Sequence, residues 1–322
     1  MKHIAIIGAG LSGLSCARHL SADCDVTLFE KSRGVSGRMS TRYAGDFEFD
    51  HGAQYFTAHN LDFKSQVAQA ISVGHVARWN GRALYKKTGQ FEDDHGAERF
   101  VATPRMNSWA KALAAGLNVK TGVRIAGLQQ KSAIWTLSDE NGALYDGFDE
   151  VVLAIPPEQA GALLPAHSSV FDRVKAAKMD ACFALMLGFE GAIDLDWSSL
   201  RVEGSSIAWM AVNNSKPARV AATTLMVHTH PEWSNIHVDD EREEIMRIII
   251  TETSRLTGLN AAQAAHKTLH RWLYASVSSS PKQACLRDAD EKLTVCGDWC
   301  LGGRVENAWL SGRAAAKAIN FS

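Results

Sequence analysis

Residues 3–30 constrain this chain more than any other stretch. His3-Ile4-Ala5-Ile6-Ile7 is too continuously apolar to alternate, the pattern of a parallel strand buried on both faces. Gly8-Ala9-Gly10-Leu11-Ser12-Gly13 follows at once. Gly8 permits a tight turn, Gly10 lets the backbone approach a pyrophosphate, and Gly13 lets the next helix pack closely on the strand. The start of that helix offers free N–H groups and a positive dipole end to phosphates. Leu11, Leu14, Ala17 and Leu20 recur three apart and would bury one helical face. Val26-Thr27-Leu28-Phe29 then delivers Glu30, whose carboxylate can accept hydrogen bonds from a ribose diol. A glycine-rich turn between any strand and helix would account for the glycines alone. Strand, helix, second strand and terminal acid in that order point to a dinucleotide.

The rest of the chain excludes more than it adds. It has 322 residues, 46% hydrophobic and 21% charged, with a formal net charge of −1. Nothing global argues for nucleic acid or an anionic membrane. No apolar run approaches the roughly 18–20 residues of a membrane span. The apolar N-terminus is explained as a strand rather than a signal peptide, so a cytoplasmic location is expected. Six scattered cysteines without a CxxC pair give no disulfide framework. Cys296 and Cys300, or His228 and His230, lack the further ligands a metal needs, and no metal is expected.

Lys31 to Thr41 is glycine-rich and basic, and reads as a loop near phosphates with Arg38 able to pair with them, or as a solvated basic loop. In Asp50-His51-Gly52-Ala53-Gln54-Tyr55-Phe56-Thr57, glycine and small residues would let a planar ring approach the backbone; an ordinary turn is the alternative. Residues 60–100 form a more polar excursion. A helix is expected from Thr103-Pro104 to Leu113, a strand pair starting in Val119–Leu128 and continuing at Ile134–Leu137, and a buried strand at Val151–Ile155 stopped by Pro156-Pro157. Beyond it, alternating segments such as Phe183–Leu187 and Ala221–Val227 suggest antiparallel strands in a second domain, beside a helix carrying Ile245, Ile248, Ile249 and Leu256. Leu293–Cys296 returns to strand character and ends at Gly297-Asp298; a helix with the small residues Ala308, Gly312, Ala315 and Ala318 closes the chain. An acid at that strand end can bind a polyol.

These residues together resemble the flavin-dependent amine-oxidase superfamily, and within it the renalase-like members. The broad signals are the Gly8–Gly13 run with Glu30, Ser36-Gly37-Arg38 and Gly297-Asp298. The narrower ones are Asp50–Thr57, Lys216-Pro217-Ala218-Arg219, His228 to Glu232-Trp233-Ser234, His270-Arg271-Trp272-Leu273-Tyr274-Ala275, and the run from Gly297-Asp298-Trp299 to Ser311-Gly312. The resemblance implies an α/β fold: a Rossmann-type FAD domain of residues 1–58, 101–157 and 283–322, and a mixed, largely antiparallel substrate domain of 59–100 and 158–282. It implies FAD as resident cofactor. Gly8, Gly10, Ser12 and Gly13 would hold its pyrophosphate with Arg38 beside the phosphates, Glu30 would hold the adenosine ribose, and Leu11, Lys31 and Gly37 would also bind the cofactor. Val123 would meet adenine, Gly52, Ala53, Gln54 and Tyr55 the flavin ring, Asp298 the ribitol, and Glu306, Asn307 and Ala308 the pyrimidine edge. Ser36 departs from the family, where glycine is common.

Renalase-like enzymes oxidise isomers of NAD(P)H reduced at the 2 or 6 position, passing a hydride to flavin N5 and then to O2 as hydrogen peroxide. The expected partners are therefore a dihydronicotinamide nucleotide and O2. Tyr55, Trp209, Trp272 and Trp299 could wall its pocket or simply pack the core, and His270 could donate to a carboxamide or be an ordinary core histidine. Arg201, Arg219 and Arg271 could meet substrate phosphates or lie on the surface. An amine oxidase, with Lys178 as the lysine to consider, and a non-catalytic FAD-binding redox sensor are the alternatives.

Overall fold

The computed structural model describes residues 1–320. The last two residues of the expected FAD-binding range, 321–322, lie outside the described residues. The first strand, Lys2–Ile7, lies inside a six-stranded sheet ordered Leu286–Asp288, Leu293–Val295, Glu150–Leu153, Lys2–Ile7, Cys24–Glu30, Asn118–Thr121. All neighbours pair in parallel except Leu286–Asp288. Ile4, Ala5 and Ile6 have no exposed surface, as an unbroken apolar run requires. The chain leaves the first strand on one side and returns on the other through Glu150–Leu153. That reversal opens a crevice at the carboxyl ends of these two strands, where open parallel sheets bind nucleotides.

The helices Leu11–His19 and Val305–Asn320 pack on one face of this sheet and touch backbone to backbone. A Cβ on Gly312 would lie 2.0 Å from the Ser12 carbonyl oxygen, and the Ser15 hydroxyl donates to Trp309 O at 2.8 Å. The segment 119–128 does not form one start of a strand pair. It splits at Gly122 (φ +72°), so that Asn118–Thr121 joins the parallel sheet. Ile125–Lys131 begins a three-stranded antiparallel sheet with Ile134–Asp139 and Leu144–Phe148. Its Trp135 and Leu137 cover the opposite face of the parallel sheet against Phe29, Val151 and Leu153.

A seven-stranded sheet forms the other layer, ordered His266–Ser279, Lys178–Phe189, Thr223–Thr229, Ile207–Val212, Ser199–Val202, Ala83–Lys87, Gln90–Asp93. Its long central strand alternates. Phe183, Leu185 and Leu187 pack toward Ile245 and Ile249 of the helix Arg242–Thr257, while Ala184 and Met186 pack toward Phe49 and Met39. The sheet is not purely antiparallel: Ser199–Val202 pairs in parallel with Ala83–Lys87. That pairing brings part of the polar excursion onto the sheet edge. The excursion also contains the helix Leu61–Ser72, N-capped by Asn60, whose Oδ1 accepts from the N–H groups of Asp62 and Phe63.

Candidate active site

One cavity of about 2060 Å³ runs from the glycine turn to the seven-stranded sheet. Ordinary small-molecule sites occupy roughly 300–1,000 Å³, so this one has room for a dinucleotide and a second ligand. At its inner end the backbone is strained open. Gly8 has φ +104°, and a Cβ there would sit 2.5 Å from Ala154 O. Gly37 has φ +53° and would place a Cβ 3.3 Å from Gly10 Cα, so the two loops close on each other. Ser36 adopts φ 113° without being glycine, which is how its departure from the family pattern is accommodated. Glu30 anchors the turn: its carboxylate accepts from Ala9 N at 2.9 Å and Ser32 N at 2.8 Å. Val123 N donates to Glu30 O at 3.0 Å, bringing Val123 to the cavity wall.

Further along, Arg38 and Asp298 form a two-pronged ion pair, with Arg38 Nη1 3.0 Å from Asp298 Oδ2, and Arg38 also donates to Ala275 O at 3.1 Å. Each carboxylate oxygen retains lone pairs for hydroxyl donors. Lys31 lines the same wall; burial lowers its pKa, with Arg124 adding to the effect.

The segment Gly52–Tyr55 crosses between the two layers, and the seven-stranded sheet grips it from the other side. Trp272 Nε1 donates to His51 O at 2.9 Å, and His228 Nε2 lies 3.1 Å from the same oxygen. A carbonyl only accepts, so His228 carries its proton on Nε2. His51 stacks on Trp272 with centroids 5.1 Å apart, and His270 meets both edge-on. Burial holds His51 at about 3, with His270 and Arg42 adding to it; burial also holds His270 and His228 at about 4. All three are neutral at pH 7.

Beneath this segment lies a fully buried charge cluster. Asp50 accepts from Thr41 Oγ1 (2.7 Å), Met106 N (3.1 Å), Lys216 Nζ (3.3 Å) and Arg219 Nη2 (2.7 Å). Lys216 also donates to Gln54 Oε1 and Asn213 Oδ1. Burial raises Asp50, yet the two cations and their hydrogen bonds win and bring it to about 2; burial lowers Lys216 to about 8.

The similarities to known proteins agree with this geometry. Residues 6–69 match the NAD(P)-binding Rossmann-like domain, and residues 83–320 match the flavin containing amine oxidoreductase model. The chain belongs to the flavin-containing amine oxidoreductase family. Renalase from Mus musculus is 23% identical over 308 residues, covering 87% of this chain and 86% of the relative. A 4,4'-diapophytoene desaturase from Staphylococcus haemolyticus is 48% identical over 50 residues, 15% of this chain and 10% of that protein. Among solved structures, a putative protoporphyrinogen oxidase from Exiguobacterium superposes with a TM-score of 0.80 at 12% identity, covering 99% of both chains. Cyclohexylamine oxidase from Brevibacterium oxydans does so at 0.76 and 13%, again over 99% of both chains.

The cofactor of this family member is FAD, and the cavity fits it: a glycine cradle that Cβ atoms would fill, an acid at the second strand end, and a strongly basic lining. Of the expected FAD residues, Gly8, Gly10, Leu11, Ser12, Glu30, Lys31, Gly37, Arg38, Gly52, Ala53, Tyr55, Val123, Asp298 and Ala308 line the cavity. Gly13, Gln54, Glu306 and Asn307 do not. A Cβ on Gly13 would lie 2.0 Å from Gly8 O, so its part is helix packing. Gln54 turns its amide down to Asp50 O and Lys216. Glu306 accepts from His59 N and Asn60 N, and Asn307 donates to Leu301 O and Gly303 O.

Among the pocket aromatics, Tyr55 and Trp209 face each other at 5.4 Å, and Trp272 sits with His51 and His270. Trp299 borders the cavity but packs in the core between the parallel and three-stranded sheets, its Nε1 donating to Ile155 O. Arg201 and Arg271 reach the cavity. Arg219 does not: its side chain is 1% exposed and spent on Asp50 and three carbonyls. Lys178 is exposed and outside the cavity wall, and the buried lysine is Lys216. Sequence reasoning missed Asp94 and Arg99, because nothing in an acidic, polar excursion marks which residues fold inward, and it missed Arg42 in the short strand Arg42–Ala44.

Proposed function

We propose that this flavin-dependent oxidoreductase oxidises dihydronicotinamide nucleotides, the 2- and 6-dihydro isomers of NAD(P)H. The observation that carries the reading is the charge of the cavity. Its lining holds ten lysines and arginines against Glu30, Asp94 and Asp298 alone. Two of those acids are bound to arginines, Asp298 to Arg38 and Asp94 to Arg99, and Glu30 accepts from two backbone N–H groups while keeping lone pairs for a ribose. The three nearby histidines are neutral and add nothing to this charge. Such a lining favours the phosphates of FAD and of a second nucleotide, and disfavours an ammonium substrate.

Bound FAD supplies the hydride acceptor and the route to O2, so that substrate, O2 and a proton give NAD(P)+ and hydrogen peroxide. Oxidation of a dihydronicotinamide gives an aromatic cation directly and needs no strong base, in keeping with histidines held well below neutrality. Tyr55 and Trp209 supply flat walls for a ring, and Trp272 and His228 hold the His51 carbonyl and with it the segment Gly52–Tyr55. Neutral His270, on the cavity wall, can donate to a carboxamide oxygen.

The test is an anaerobic titration of the purified yellow protein. The 2- or 6-dihydro isomer is expected to bleach the flavin within seconds, with ordinary amines leaving it oxidised. Fast bleaching by amines and none by the isomers would overturn the reading.

A further inference from the structure

At the substrate end, the polar excursion and the sheet edge build a ladder of charges and rings. Arg99 lies in the cavity wall with its side chain 10% exposed, its guanidinium 4.7 Å from the Tyr55 ring and 5.2 Å from that of Trp209. It donates to Ser199 Oγ at 2.7 Å and Asp94 Oδ2 at 2.9 Å. A guanidinium has five N–H donors, so three of Arg99's remain for a ligand. Asp94 faces a second cation, Arg201, at 3.7 Å. Arg201 is half exposed, lies 3.9 Å over the Tyr85 ring, and also lines the cavity. One carboxylate thus lies between two guanidiniums. Tyr85 in turn donates to Glu203.

A largely buried arginine fixed in orientation and left with unspent donors beside two pocket aromatics is arranged for an acceptor-rich ligand group. Its outer partner, Arg201, rises toward solvent, so the site is graded from a held cation to a reaching one. From this arrangement we infer that Arg99 and Arg201 form a phosphate-reading subsite for the substrate, with Asp94 setting its strength by neutralising one of the two charges. The inference rests on the nucleotide reading above. It names Arg201 as the residue that separates phosphorylated from unphosphorylated nicotinamides.

The experiment uses the FAD-loaded, oxidised enzyme and follows the change in flavin absorbance on titration with NAD+, nicotinamide mononucleotide and nicotinamide riboside. These share the ring and differ in phosphates. Arg201→Gln, an exposed change, is expected to weaken NAD+ and the mononucleotide about tenfold, the scale of one partly screened charge-assisted hydrogen bond, and to leave the riboside within about twofold. Asp94→Asn is expected to tighten both phosphorylated ligands by about two- to fivefold, a gain that mere loosening of the wall would not produce. Equal losses for all three ligands in Arg201→Gln, or weaker phosphate binding in Asp94→Asn, would overturn the subsite while leaving the nucleotide reading intact. If none of the three perturbs the wild-type flavin, the nucleotide reading falls and the subsite with it.

Discussion

Asp50 is the most consequential single side chain outside the glycine cradle. It is fully buried between Lys216 and Arg219, whose side chains are 0% and 1% exposed. Asp50→Asn keeps the shape and removes the only acid in contact with these two cations among the described residues. Arg219 retains the carbonyls of Ala102, Pro104 and Pro217, and Lys216 retains Gln54 and Asn213, but both charges become uncompensated. Stripping one partner from a buried pair costs about 3–5 kcal/mol, a large share of a total stability of roughly 5–15 kcal/mol. Lys216→Met should cost less, about 1–3 kcal/mol, because Asp50 keeps Arg219, Thr41 and Met106 N while a buried ammonium disappears.

The pH dependence has a definite sign. Asp50 falls from 3.8 to about 2 on folding, so its contribution is present above pH 3.8 and is lost as pH falls from there toward 2. Lys216 falls from 10.5 to about 8, so the folded protein binds fewer protons than the unfolded chain between those values, and stability gains from this group as pH rises through that window. Urea unfolding at pH 7 and across both windows checks this. An Asp50→Asn loss under about 1 kcal/mol, or a loss smaller than that of Lys216→Met, would refute the reasoning.

Two further outcomes follow from backbone geometry. Ser36→Gly is expected to stabilise the protein by about 1 kcal/mol, since it relieves a non-glycine residue at φ 113°; an unchanged or lower urea midpoint would contradict this. Gly13→Ala would drive a Cβ to 2.0 Å from Gly8 O and is expected to cost more than about 3 kcal/mol and release FAD, whereas Gly34→Ala, with nothing within 4 Å, should stay within about 0.5 kcal/mol by the same unfolding assay and by retained flavin absorbance.

The nucleotide-binding half was legible because its constraints are local. Continuous apolar runs, glycines at fixed spacing and acids at strand ends follow from two buried strand faces and a close backbone approach, all within a few residues. The split at Gly122 escaped because Asn118–Thr121 and Ile125–Lys131 differ in the partners they pair with, not in their own pattern. The substrate end escaped more completely. Asp50 meets residues 166 and 169 positions away, and Arg99 meets Ser199, 100 positions away. For Arg219 the sequence left a phosphate contact and a surface position open, and only the tertiary fold supplies the acid that lets it and Lys216 be buried. Gln54 shows the same limit on a smaller scale: its place in the ring-facing segment was readable, but the direction of its side chain was set by Lys216.

The net charge of −1 was a poor guide to the site, and the reason is segregation. Of 34 basic and 35 acidic residues, ten basic and three acidic ones line the cavity, leaving 24 and 32 for the rest of the chain. The remainder is therefore acidic and the cavity basic, an arrangement a sum over the chain erases. A concave, partly desolvated lining concentrates its field in a way a convex surface does not. Burial keeps the histidines beside the cavity neutral, and Arg42 acts in the same direction on His51 and His270. A site built this way attracts phosphates and leaves the histidines beside it unprotonated but only weakly basic. The same placement of charge thus bears on both which ligand enters and which chemistry can follow.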